Sequence, residues 1–150
     1  MKLTVSKLNN FLLFKLPSAF FCGVRVKEID VNKCVVSVKH RWINQNPFNS
    51  MYFAVQAMAA ELSTGALVMF QIAKSGRKIS MLVANNKGNF TKKATGRITF
   101  TCNDGHLIEK AILETIATGE GQTFWMKSIG TNETGIQVSE MDFEWSVRVK

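Results

Sequence analysis

Residues 51–72 read Met51-Tyr52-Phe53-Ala54-Val55-Gln56-Ala57-Met58-Ala59-Ala60-Glu61-Leu62-Ser63-Thr64-Gly65-Ala66-Leu67-Val68-Met69-Phe70-Gln71-Ile72. At 100° per residue, Met51, Val55, Met58, Leu62, Ala66 and Met69 fall in one stripe, and the other positions are nearly as apolar. A helix that is apolar almost all round must be wrapped by other elements. The preceding segment, Asn44 to Ser50, breaks any periodicity, and Asn49 or Ser50 offers an N-cap. The run is long enough to span a bilayer, which takes about 20 residues. However, Gln56, Glu61, Ser63, Thr64 and Gln71 interrupt it, and no basic flank orders its ends. A buried helix of a soluble protein, with no membrane span, fits better.

The flanks supply the wrapping. Leu3 to Leu16 has apolar residues at helical spacing and stops at Pro17, which predicts a short amphipathic helix. Val24 and Val26 alternate with Arg25 and Lys27, Asp30 to Lys33 are turn residues, and Val36, Val38, His40 and Trp42 share one face. That pattern predicts a hairpin. Downstream, Ile79 to Ala84 predicts a strand, Asn85 to Asn89 a loop, and Ala94 to Cys102 a further strand. A helix is expected from about Gly105 to Thr118, capped by Asp104 and ended by Gly119. Strands over Gln122–Gly130 and Ile136–Val149 complete the chain, and a change of phase after Val138 suggests a bulge. The order α-β-β-α-β-β-α-β-β predicts an α+β fold: a curved antiparallel six-stranded sheet around the central helix, with an extra helix between the fourth and fifth strands.

Composition agrees with one domain over residues 1–150. At this length, with 46% apolar and 20% charged residues, a chain buries roughly 68–70% of its unfolded surface. Lys7, Lys15 and Pro17 break the apolar start too early for a secretory signal. The three cysteines, Cys22, Cys34 and Cys102, are odd in number and scattered. They read as reduced thiols of a cytoplasmic protein rather than as a disulfide or zinc framework.

Charge is unevenly placed. Residues 62–103 carry seven basic side chains and no acidic one, within a net charge of +8. This block (Lys74, Arg77, Lys78, Lys87, Lys92, Lys93 and Arg97) reads either as a solvated basic face or as a groove for phosphate groups, of coenzyme A or of nucleic acid. Single-stranded nucleic acid needs aromatic platforms among the cations. The middle strands offer Phe90 and Phe100, and Phe100 lies on the apolar face, so nucleic acid is disfavoured.

No phosphate loop, dinucleotide fingerprint or Gly-x-Ser-x-Gly elbow occurs. His40 sits on an apolar strand face and His106 at a helix start, far apart in sequence, so no metal site is expected. Glu61 differs, being the one acid in the central helix, with Ala54, Ala57, Thr64 and Val68 on its side. Desolvation raises the pKa of such a carboxyl. It is either a structural carboxylate bonded to a nearby donor or a general base or nucleophile in a dry cleft. The helix start near Met51 points free N–H groups into the preceding loop, where they could polarise a carbonyl. Asn46 could add a donor or order a water, or could simply shape the loop.

With these residues in place, the chain resembles the hotdog-fold thioesterase-like superfamily, most closely a bacterial group of unknown function within it. The resemblance rests on Asn44 to Ala54, on Ala60-Glu61-Leu62 with Gly65, on Lys93 to Cys102, and on Trp145-Ser146-Val147-Arg148. In phenylacetyl-CoA-type hotdog thioesterases an Asn precedes a His-Gly-Gly turn and an acid seven residues after the second Gly. Counting back from Glu61 places Ala54 and Phe53 at the glycines, Tyr52 at the His and Asn46 at the Asn. The resemblance implies that Glu61 activates water or attacks the thioester, that the Phe53 N–H holds the oxyanion, and that Asn46 places water or substrate. Tyr52, Ala54 and Thr64 would line the substrate; charge placement, rather than the resemblance, makes Lys92, Lys93 and Arg97 candidates to meet coenzyme A phosphates. The resemblance further implies a homodimer, with pairing into tetramers left open, whose site joins the acid to the partner's helix start. The substrate would be acyl-CoA or an acyl-carrier thioester, with no cofactor beyond the coenzyme A moiety. Two readings stay open: a thioester hydrolase, or a non-catalytic acyl-binding protein whose site lacks both glycines and the histidine.

Overall fold

A computed structural model describes residues 2–150. The elements are α1 (Val5–Lys15), α2 (Pro17–Phe21), β1 (Arg25–Ile29), β2 (Cys34–Lys39), a 3-10 turn (Trp42–Asn44), α3 (Phe53–Ser75), β3 (Ile79–Phe90), β4 (Arg97–Cys102), α4 (His106–Thr118), β5 (Gln122–Thr131) and β6 (Gln137–Val149). All strand pairs are antiparallel, in the order β1-β2-β4-β5-β6-β3. Helix α3 packs against β1, β2, β4, β5 and β6, while α4 covers β5 and β6. This is the expected α+β hotdog architecture, with α4 as the extra helix between β4 and β5.

The physical logic is the wrapping of α3. Val55, Ala59, Ala60, Leu62, Ala66, Leu67 and Val68 on α3 are buried, as are Val36 and Val38 of β2, Ile98 and Phe100 of β4, and Phe143, Trp145 and Val147 of β6. By length and composition α3 could cross a membrane, yet most of it is enclosed by the sheet. Gly76 at φ 68° ends α3, and Gly119 at φ 76° ends α4, both in the left-handed region that glycine enters without strain.

Several local expectations are corrected. Neither Asn49 nor Ser50 caps α3, because its N-cap is Tyr52, with no side-chain cap bond. Asn49 instead takes a left-handed turn at φ 59°. The Asp104 side chain does not cap α4; its Oδ2 accepts from Lys127 N at 2.8 Å, and the N-cap is Gly105. Strand β2 ends at Lys39, so Trp42 lies on the 3-10 turn and is 83% exposed. Asn85 to Asn89 form no loop. They continue β3, paired with β6 residue by residue, and Asn85 Nδ2 donates to Glu144 Oε1 at 2.9 Å. Pairing to a long neighbour overrides the weak strand propensity of Asn and Gly. The expected bulge is present. Gly130 pairs with Ser139 and Thr131 with Gln137, leaving Val138 as the extra residue, and Val138 and Ser139 are both buried.

Candidate functional site

The loop into α3 is shaped by Asn46. Its Oδ1 accepts from Phe48 N at 2.9 Å and Ser50 N at 3.2 Å, while its Nδ2 donates to Ser50 Oγ at 2.9 Å and Met51 O at 3.3 Å. An isolated bridge between Gln45 and Met51 closes the same loop. Every hydrogen-bonding group of the Asn46 amide is therefore engaged in holding the backbone. With Tyr52 capping by backbone geometry alone, the N–H groups of Phe53 and Ala54 find no acceptor among the described residues. These are two of the orphan donors that every helix start carries.

A pocket of about 500 Å³ opens at this helix start, lined by Asn46, Tyr52, Phe53, Gln56, Phe90, Lys92 and Lys93 among others. Phe53 packs edge-on to Tyr52 and to Phe90, with ring centroids 5.2 and 6.1 Å away. Lys93 Nζ donates to Phe48 O at 3.0 Å and stiffens the rim. Arg97 lies outside this pocket, with its guanidinium donating to Ser37 Oγ at 3.3 Å and its backbone N–H to Glu133 Oε1 at 2.7 Å.

Glu61 occupies a separate crevice of about 110 Å³, walled by Leu12, Leu16, Ser18, Ala19, Met58 and Leu62. The sequence reading missed these walls, because nothing in residues 3–21 signals that α1 and α2 fold onto the acid's side of α3. The carboxyl is half-buried. Among the described residues it has neither an ion pair nor a side-chain hydrogen bond. Burial alone pushes its pKa up to about 7. Thr64 does not face this crevice. It is fully buried, its hydroxyl donating to Glu61 O at 2.8 Å and accepting from Trp145 Nε1 at 2.9 Å. Gly65 makes room: a Cβ there would lie 2.9 Å from the Trp145 ring and 3.3 Å from Glu61 Oε1.

Glu61 lies eight positions after Phe53 on α3, a rise of about 12 Å. One chain therefore places Asn46, Tyr52, Phe53, Lys92 and Lys93 around one opening and Glu61 in another. Gln56 is the pocket residue the sequence reading did not single out. A lone neutral amide in the first turns of an apolar helix was its available signal.

Residues 6–147 match a family described as "Domain of unknown function (DUF4442)". None of the curated proteins matches the chain. Among solved structures, the fold is similar to that of a protein of unknown function from Pseudomonas aeruginosa named a probable thioesterase, with a TM-score of 0.82, 22% identity, and 100% of this chain and 99% of that one covered. A protein of unknown function from Chlorobaculum tepidum matches with a TM-score of 0.86 at 13% identity, covering 97% and 94% of the two chains. A thioesterase from Haemophilus influenzae matches with a TM-score of 0.77 at 12% identity, covering 99% and 93%.

Proposed function

The chain belongs to the DUF4442 family, and from that premise, its hotdog fold and its unpartnered helical acid, we propose that it hydrolyses thioesters of the acyl-CoA or acyl-carrier type. The observation that carries the reading is the Glu61 carboxyl, half-buried in a mostly apolar crevice with no cation or donor among the described residues to neutralise it. Removing one partner of a buried charge is ordinarily destabilising, so a site built without any partner has a use other than stability. The names of the fold's relatives, a probable thioesterase and a thioesterase, agree with it.

In the proposed reaction the ionised Glu61 takes a proton from water as the oxygen attacks the thioester carbonyl. The oxyanion of the tetrahedral intermediate is held by the free N–H groups of Phe53 and Ala54. Collapse breaks the C–S bond, and the thiolate takes the proton from Glu61, giving a carboxylic acid and a thiol. Because Glu61 and the helix start lie in different openings of one chain, the reaction needs a homodimer in which the acid meets the partner's helix start. Lys92 and Lys93 line the larger pocket, and their charges would meet the phosphates of coenzyme A. Asn46 acts by holding the loop, and Tyr52 and Phe53 wall the acyl path.

Glu61→Gln is expected to lower single-turnover hydrolysis about 10²–10⁴-fold with folding and dimerisation intact. Parental rates on every responsive acyl-CoA would remove the assignment. Alanine at Lys92 and Lys93 together should raise KM for acyl-CoA several-fold and leave KM for a short pantetheine thioester unchanged; equal KM values for acyl-CoA would withdraw the phosphate role.

A second reading is favoured by Phe53 and Ala54, whose side chains stand where a close backbone approach needs glycine. It is a non-catalytic acyl-binding protein, which predicts saturable acyl-CoA binding and no thiol release over hours.

A further inference from the structure

Two buried side-chain polar atoms among the described residues lack a hydrogen-bond partner, and one of them, Gln56 Oε1, belongs to a residue that lines the pocket at the start of α3. Gln56 is only 4% exposed. Its Nε2 reaches the Met51 carbonyl at 3.5 Å, the outer limit for such a bond. That carbonyl already accepts from Asn46 Nδ2 at 3.3 Å. The Gln56 amide can thus turn about its terminal torsion without leaving Met51 unsatisfied. A desolvated acceptor with no donor destabilises a fold, so its retention is accounted for if a ligand brings the donor. Close by, the Phe53 and Ala54 amides are donors without acceptors among the described residues. Phe53 lines the pocket and Ala54 follows it, so a donor for a carbonyl and, about one helical turn away, an acceptor for an N–H stand at one opening.

We propose that Gln56 is a specificity residue whose Oε1 accepts from the amide N–H of a cysteamine unit, the N–H two carbons from the sulfur in every pantetheine thioester. This rests on the thioester reading and narrows it, since a simple alkyl thioester has no such donor. Coenzyme A and an acyl-carrier protein share the unit. The bound carbonyl would face the two free amides while the pantetheine arm passes Gln56 toward Lys92 and Lys93.

Non-hydrolysable ligands separate this inference from catalysis. S-Hexyl-N-acetylcysteamine is compared by calorimetry with its isostere in which CH2 replaces the N–H. The parent protein should bind the amide about ten-fold more tightly, and Gln56→Met, which keeps the length and removes the acceptor, should bind both alike. A ratio that survives Gln56→Met overturns the proposal. So does a parent protein that binds both ligands equally or neither, a result that does not depend on how the variant folds. Selective binding with no hydrolysis of acyl-CoA sinks the hydrolase reading alone. S-Hexyl-coenzyme A serves as a third ligand: tighter binding than the cysteamine probe supports coenzyme A as the source, and equal binding supports a carrier-borne arm.

Discussion

Folding lifts the Glu61 carboxyl from its ordinary value of 4.5 to about 7, with desolvation as the cause. Between those two values the native state holds a proton that the unfolded chain has released. Stability therefore falls as pH rises through this window and stays lower above it. The full shift would be worth about 3 kcal/mol, and water at the crevice mouth reduces that to about 1–3 kcal/mol. Glu61→Gln keeps the shape and cannot ionise, so it should gain this amount over the parent at pH 8 and little at pH 4.5. Urea unfolding at the two pH values checks it; a pH-independent difference would mean the carboxyl is solvated in the native state. Glu61 was legible in the sequence because a single charge on an otherwise apolar helix has few innocent explanations. Thr64 was not, since the Trp145 indole that claims its hydroxyl lies 81 positions away. Gln56 reads in the sequence only as an interruption of the apolar run, because an uncharged amide among apolar residues looks the same whether or not its acceptor is satisfied.

At the scale of elements, periodic segments were legible and aperiodic ones were not. Alternation in β4 and β6, and even the Val138 bulge, could be read directly because one face of each strand is buried. The second half of β3 could not, because an edge strand with exposed side chains on both faces leaves no hydrophobic period. The pairing of β2 with β4 has a chemical consequence. It sets Cys34 directly opposite Cys102, both buried, and desolvation pushes each thiol up to about 12. Since the thiolate is the reactive form, neither should alkylate in the native protein at pH 7.5 over hours, whereas the half-buried Cys22 should. Intact mass after iodoacetamide treatment reads this directly. One adduct is expected native and three in urea; two or more native adducts would mean that the β2–β4 ladder opens far more readily than its burial implies.

For the whole molecule, the sheet ends on a strand whose outer side is unpaired. β3 runs 12 residues along that edge, with Leu82 68% and Phe90 45% exposed. Long apolar edges invite pairing with another chain unless charge or a bulge blunts them. The register shift between Val83 and Asn85, with Lys87 beyond it, blunts only part of this one. The site proposed above, divided between Glu61 and a distant helix start, requires two copies, and we take this edge as their junction. A glutamate at position 82 would place an unpaired charge in that junction. Leu82→Glu should therefore shift the protein toward monomer in light scattering and lose hydrolysis in proportion, while the monomer keeps its far-ultraviolet circular dichroism because the substituted side chain is outside the core. The concentration dependence separates this from a local defect, since activity per chain should recover as the variant is concentrated and dimers re-form. A monomeric variant with full activity at every concentration would instead place acid and amides within reach of each other in one chain, against the ~12 Å that α3 sets between them.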